Sequence, residues 1–263
     1  LISKKLTMNV ALLGCGAIGS EVAKAIDEGK AGPVKLLWVF DRHKDKAEEL
    51  SRLLKSRPKV AREMEEILSD KEVQLVIEAA SQEAVREYGE GILASGKDLL
   101  ILSTGALMDH QLFAKLLKAK KSGRRIYIPS GAILGLDALK ACELAGVEEV
   151  ELTTRKPSSS LGEPPGLLFE GSVREAIKRF PRAINVAATL ALVVGEEKVR
   201  VRILSDASVK RTTHELRIRS KISDIFCRVE STPFEQNPLS SKITAHSVVR
   251  LLRDLTEPVK IGT

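Results

Sequence analysis

Apolar residues recur along this chain in two rhythms, and the way they alternate changes once, near residue 130. Met8 to Leu13 is a short apolar run that predicts a strand. Ala17 to Asp27 then carries Ile18, Val22, Ala25 and Ile26 at helical spacing. Val34 to Phe40 is apolar except for Lys35, the pattern of a strand buried on both faces, and Lys44 to Lys55 reads as a charged helix behind it. The alternation repeats: Gln74 to Ala80, Asp98 to Ser103 and Arg124 to Pro129 predict strands, separated by helices near Gln82 to Ala94 and Asp109 to Lys121. Strand and helix in turn imply right-handed crossovers and a parallel sheet covered by helices on both faces.

Past Ser130 the order differs. A helix near Leu136 to Leu144 leads into a strand over Val147 to Thr154, and the Pro, Ser and Gly residues of Lys156 to Gly166 predict a loop. Helices follow at Val173 to Arg179 and Asn185 to Val194. Three strands, Lys198 to Leu204, His214 to Lys221 and Asp224 to Glu230, lie close enough in sequence for antiparallel pairing. The last amphipathic segment, Ile243 to Leu255, is expected to pack back on the first domain. The expected organisation is an α/β chain with a parallel-sheet domain of residues 1–130 and 241–263. Residues 131–240 form a smaller α+β domain with a mostly antiparallel sheet, for substrate binding and dimerisation.

Composition narrows the function. The longest nearly apolar run, Ile184 to Val194, is too short for a membrane span of about 20 residues, so no membrane association is expected. Leu1 to Thr7 lacks the features of a secretory signal, and Met8 reads as a natural start after a short extension. Three cysteines, Cys15, Cys142 and Cys227, are widely spaced, which argues against a disulfide framework or a zinc site and points to a reducing cytoplasm. The formal charge of +7 would suit nucleic acid or small anions, but two Tyr and one Trp leave few stacking platforms, so small anions are favoured and nucleic acid is not. With charged residues at 29% and few amides, the composition resembles proteins of hot environments.

Gly14-Cys15-Gly16-Ala17-Ile18-Gly19 fits the GxGxxG pattern, which is a weak signal alone. Here it follows a predicted strand, opens a helix, and precedes an acidic residue, Asp41, at the end of the next strand, as a Rossmann dinucleotide unit requires. Gly14 permits the tight turn, Gly16 lets a pyrophosphate approach the backbone, and Gly19 lets the helix approach the sheet. Ala17 and Ile18 open the helix whose N-terminus faces the phosphates. Asp41 is suited to accept from the adenosine ribose hydroxyls, which favours NAD. Arg42 beside it would pair with a 2′-phosphate, so NADP is tolerated. Ala80, ending the Gln74 to Ala80 strand, joins the cofactor-binding set.

Three later blocks carry a resemblance. Ser130 to Asp137 (SGAILGLD), Phe180 to Thr189 (FPRAINVAAT) and Arg211 to Glu215 (RTTHE) resemble the L-aspartate dehydrogenase family, as do Ser103 to Leu107 and Asn237 to Ser241. The likeness covers nearly the whole chain from Met8. Ala183 stands where a polar residue is expected, and Thr213 lies at a variable place. The resemblance implies NAD(P)-dependent oxidation of L-aspartate to iminoaspartate, which hydrolyses to oxaloacetate and ammonia or feeds NAD biosynthesis, and it implies a homodimer. It also assigns His214 as the acid/base residue and Ala132 and Asn185 as nicotinamide contacts.

The chemistry is consistent with those roles. Hydride removal from Cα needs a neutral amine and imine hydrolysis needs proton transfers, which an imidazole of reference pKa ~6.5 can perform. His43, His110 and His246 sit in less suitable places. Asn185 offers an amide donor and acceptor at a helix start, where an N-cap is the competing reading. Ala132 is small enough for backbone approach to a ring. For the substrate carboxylates Arg155, Lys156, Lys210 and Arg211 are all candidates. Three rivals remain: an aspartate-semialdehyde dehydrogenase, which needs an activated cysteine; a dihydrodipicolinate-reductase-like enzyme; and a non-catalytic NAD(P)-binding redox sensor.

Overall fold

A computed structural model describes residues 7–121, 123–180, 184–235 and 237–262. The chain divides into two compact units: residues 1–129 with 245–261, and residues 130–244 with 262–263.

The first unit is built on β1 (Met8–Leu13), α1 (Ala17–Asp27), β2 (Val34–Phe40), α2 (Lys44–Leu53), β3 (Lys59–Val60), α3 (Met64–Ser69), β4 (Leu75–Glu78), α4 (Gln82–Ala94), β5 (Asp98–Ile101), α5 (His110–Ala119) and β6 (Ile126–Tyr127). The sheet order is β3-β2-β1-β4-β5-β6, and every pairing is parallel. This is the doubly wound order in which ligands bind beyond the carboxyl ends of β1 and β4, where the winding reverses. Val10, Ala11 and Leu12 of β1 and Ile77 of β4 are fully buried, as are Leu100 and Ile101 of β5. Each such Leu or Ile contributes roughly 1.5–3 kcal/mol by leaving water. Helix starts are fixed by side chains: Ser81 accepts from the Ala84 amide, and Asp109 from those of Gln111 and Leu112. The short β3 and α3 have too few residues to show periodicity in the sequence.

The second unit contains α6 (Leu136–Ala145), β7 (Val147–Pro157), α7 (Ser158–Leu161), β8 (Gly166–Ser172), α8 (Val173–Arg179), α9 (Asn185–Val194), β9 (Val199–Asp206), β10 (Thr212–Ser220), β11 (Asp224–Ser231), and the paired β12 (Pro233–Phe234) and β13 (Asn237–Ser241). Its main sheet runs β11-β10-β7-β9-β8. Three pairings are antiparallel and β7–β9 is parallel. Two expectations change. β9 and β10 are not neighbours, because β7 lies between them and satisfies both edges. The segment expected as a loop from Lys156 is strand to Pro157, held by β9 through Lys156↔Ser205 and Pro157↔Asp206. After α7 only 162–165 separate it from β8. The Ser205 hydroxyl pins this turn, lying 2.8 Å from Ser158 Oγ and donating to the Glu163 carbonyl at 2.9 Å.

Alternation gives the main sheet two unlike faces. On one, Val150 and Leu152 of β7, Val199, Val201 and Ile203 of β9, and Leu216 and Ile218 of β10 are buried. Helices α6 and α9 pack on these strands. On the other, Glu149 pairs with Arg219, Arg202 with Glu151 and Glu170, and Arg155 with Asp206 and Glu215. The chain ends on α10 (Lys242–Thr256), whose residues from Ala245 belong to the first unit. There His246 lies 3.9 Å from Glu21. No helix among the described residues is long and apolar enough to cross a membrane.

Candidate functional site

The glycine turn bridges β1 and α1. Gly14 has φ +101, and a Cβ there would lie 2.7 Å from the backbone carbonyl of Ala79, so only glycine fits between the two strand ends. A Cβ on Gly19 would strike the Gly14 carbonyl oxygen, so this glycine lets the helix close on the turn itself. Gly16 differs. It is exposed, its φ of −74 is open to any residue, and a Cβ would meet nothing within 4 Å. The space in front of Gly16 is therefore unfilled by the fold, while the first turn of α1, with Ala17 and Ile18, holds no acidic residue. This cradle fits a pyrophosphate: open space at Gly16 and a helix N-terminus whose first turn carries no acidic side chain.

Asp41 directly follows β2 and is tied to the same turn. One carboxylate oxygen accepts from the Cys15 amide at 2.8 Å and the other from the His43 amide at 2.8 Å. Each oxygen retains a lone pair for a ribose hydroxyl. Arg42 beside it is exposed. Cys15 is buried, and burial with the Asp41 charge pushes its thiol up to about 12, which disables it as the nucleophile a semialdehyde dehydrogenase needs.

Sequence reasoning passed over Glu78. It is fully buried at the end of β4, and its oxygens accept from the Ala80 amide (2.9 Å), the Leu102 amide (3.1 Å), and the Ser103 amide (2.9 Å) and hydroxyl (2.8 Å). Burial raises its pKa, opposed by these bonds. The carboxyl thus fastens the exposed Ala80 turn to the end of β5, at the ligand-binding edge of the sheet. A lone acidic residue closing an apolar strand was the available signal.

In the second unit the geometry centres on His214. Its register partner across the sheet is Thr154, and Thr154 Oγ1 lies 3.0 Å from His214 Nδ1. Lys156, two residues further along β7, shares that face. All three are buried. Burial, and secondarily the Lys156 charge, push the imidazole down to about 4. His43, His110 and His246 are exposed by contrast. Thr154 was not foreseen; a Thr pair inside an apolar alternation was its only trace.

Ala132 is buried in the turn before α6, next to Gly131 at φ +64. Asn185 is half-buried and is the first residue of α9, with Ile184 at the N-cap, so it does not cap that helix. The Thr189 hydroxyl donates to its carbonyl at 2.8 Å. Pro181, Arg182 and Ala183 of the same block lie outside the described residues. Thr213 is fully buried. Of the proposed carboxylate ligands, Arg155 is on the opposite face, ion-paired to Asp206 and Glu215 at 3.2 and 3.3 Å. Lys210 and Arg211 are exposed, beside an open hollow of about 390 Å³ also lined by Arg228 and Glu230.

A doubly wound nucleotide-binding unit with an open glycine cradle, joined in sequence to a mixed-sheet unit carrying a buried histidine, defines a pyridine-nucleotide oxidoreductase. Residues 14–129 match the family described as "Homoserine dehydrogenase, NAD binding domain", and residues 137–255 match "Aspartate dehydrogenase, C-terminal". The chain is 42% identical to the L-aspartate dehydrogenase of Methanocaldococcus jannaschii over 97% of its own length and 100% of the relative. It is 39% identical to that of Methanothermobacter thermautotrophicus over 98% and 100%. The crystal structure of aspartate dehydrogenase from Thermotoga maritima superposes with a TM-score of 0.80 at 33% identity, covering 97% of this chain and 99% of that one. The chain belongs to the L-aspartate dehydrogenase family.

Proposed function

We propose that the chain oxidises L-aspartate to iminoaspartate, which water converts to oxaloacetate and ammonia, with NAD as the preferred and NADP as a tolerated acceptor. The observation that carries this reading is the likeness to L-aspartate dehydrogenases over the full length of both units, including the stretch that holds His214. Asp41 supports the preference for NAD, because its carboxylate accepts from ribose hydroxyls and repels a 2′-phosphate. Ala132 and Asn185 serve the nicotinamide, and the chain works as a homodimer in the cytoplasm, supplying NAD biosynthesis.

His214 is the acid/base group. When Thr154 Oγ1 accepts from Nδ1–H, Nε2 presents a lone pair and takes a proton from the substrate ammonium. The two carboxylates of the substrate favour the protonated imidazole and so offset the burial that depresses it. The neutral amine then expels hydride from Cα. Nicotinamide, when bound, supplies the acceptor for that hydride. His214 passes the ammonium's proton to solvent, then takes one from the water that adds to the iminium carbon and gives it to the nitrogen; the C–N bond breaks, and the departing ammonia takes up the hydroxyl proton to leave oxaloacetate and ammonium. The balance is aspartate, NAD⁺ and water giving oxaloacetate, ammonium, NADH and a proton. The test is NADH formation measured by absorbance with L-aspartate beside other amino acids. No NADH with aspartate, from a folded protein that binds NADH, overturns this reading and leaves a silent nucleotide-binding protein.

A further inference from the structure

Two lysines among the described residues are buried, and they differ in one respect. Lys97 Nζ donates to the Asp70 carbonyl at 2.7 Å. Lys156 is 8% exposed, and its side chain makes no hydrogen bond or ion pair with another described residue. Desolvating an ammonium costs free energy and lowers the Lys156 pKa, so a chain retaining one at the end of a central strand has a use for the charge. Ser231, 3% exposed, is a second unfinished group: its hydroxyl has no hydrogen-bond partner.

Register places both on the face that carries His214. Lys156 is two residues from Thr154, the partner of His214. Ser231 pairs with Thr212, two residues from His214. One end of this face thus presents an imidazole, an unpaired ammonium and an unpaired hydroxyl, and no carboxylate of the described residues acts on the imidazole or the ammonium. On the opposite face Arg155, Arg202 and Arg219 are each ion-paired to acids, although Arg202 Nε has no hydrogen-bond partner. That contrast selects among the four basic candidates: Arg155 is committed to two acids on the far face, and Lys210 and Arg211 are exposed.

We propose that Lys156 is the residue that holds a carboxylate of the dicarboxylate substrate beside His214. This rests on the proposed aspartate oxidation and names its carboxylate subsite. An incoming carboxylate gives the ammonium its missing partner. The same contact fixes Cα and its amine relative to the imidazole, a geometry a monocarboxylate holds less firmly. It also neutralises a positive charge that opposes protonation of His214.

The experiment compares the wild type with Lys156→Met, which keeps the side-chain length and removes the charge, and Lys156→Arg, which keeps the charge. Readouts are aspartate kinetics, competitive inhibition by succinate, NADH affinity and thermal unfolding. Lys156→Met should raise KM for aspartate and weaken succinate inhibition by about 10–100-fold, the usual loss of a charge-assisted hydrogen bond. NADH affinity should stay within about twofold and the unfolding temperature should not fall, since an unpartnered charge has been removed. Lys156→Arg should recover part of the succinate affinity. If the ratio of kcat/KM for aspartate to that for asparagine collapses in Lys156→Met, the side-chain carboxylate is the one held; if it is unchanged while KM rises, the α-carboxylate is. Unchanged KM and succinate inhibition in the folded Lys156→Met enzyme overturn the inference, as does a fall in kcat alone with a lost limb of the pH profile, which would make Lys156 a proton-transfer group. A wild type that binds NADH but does not oxidise aspartate would instead overturn the proposed activity.

Discussion

Gly14 and Gly16 lie two residues apart in one turn, and the structure gives them opposite sensitivities. A valine at Gly16 enters a backbone with φ −74 and ψ −170, extended geometry that β-branched residues adopt without strain, and its Cβ meets no protein atom within 4 Å. The stability change should lie within about 0.5 kcal/mol, as for other open surface positions. The isopropyl group then occupies the space that the phosphates need. Losing close approach to two backbone amides, each charge-assisted bond contributing about 1.5–3 kcal/mol, predicts an NADH affinity weaker by about 10²-fold or more. Alanine at Gly14 carries φ +101 and a Cβ 2.7 Å from the Ala79 carbonyl. It should destabilise the chain by roughly 2–4 kcal/mol through backbone strain and displacement of the β4 end. Thermal unfolding without cofactor, paired with NADH fluorescence titration, separates the two. A Gly16→Val protein that unfolds as early as Gly14→Ala, or that keeps its NADH affinity, would refute the assignment of the open space to the pyrophosphate.

His214→Ala should lower kcat for aspartate by ~10²–10⁴ with NADH affinity nearly unchanged, since a positioned acid/base group contributes that much; near-native kcat with an unaltered pH profile would remove it from the chemistry. Because its folded pKa lies near 4 against 6.5 unfolded, the unfolded chain binds the extra proton in between, so stability should fall as pH drops from about 6.5 to about 4. The loss is on the order of 3 kcal/mol, and urea unfolding of His214→Ala should lack it. Asp41→Ser should shift the ratio of NAD to NADP efficiency towards NADP, read from kcat/KM with each; an unmoved ratio would leave Asp41 as a turn residue that holds the Cys15 and His43 amides. Glu78→Gln turns one acceptor into a donor facing amide protons and should cost about 1–3 kcal/mol in urea unfolding. NADH binding should weaken with it; full stability would show that the four bonds are dispensable.

The parallel sheet was legible because β1, β2 and β4 are largely buried and read as nearly continuous apolar runs, broken only at Asn9, Lys35 and Glu78, and because the glycine turn and Asp41 sit at fixed places relative to them. The mixed sheet was less so. Four of its five strands were found by alternation but β8 was not, and neither was the order, since antiparallel pairing of β9 with β10 is as compatible with that pattern as the insertion of β7 between them. The extension of β7 through Pro157 was hidden by its Pro, Ser and Gly composition, and only β9 as a partner makes it strand. Among site residues, Glu78 and Thr154 were missed because their roles come from hydrogen bonds to residues 25 and 60 positions away. Lys156 was visible only as one basic residue among four.

β7 carries Thr154 and Lys156 on one side and Arg155 on the other, and it is clamped by β10 on one edge and β9 on the other. Inserting or deleting a single codon in this strand would exchange the two sides, driving a guanidinium into the apolar layer and turning the lysine out towards the ion-pair lattice. A two-codon change keeps each residue's side and moves it along the strand. The gene should therefore reject odd-numbered indels here more strictly than even ones, and a library of such variants selected for folding alone would reveal that parity without any measurement of turnover.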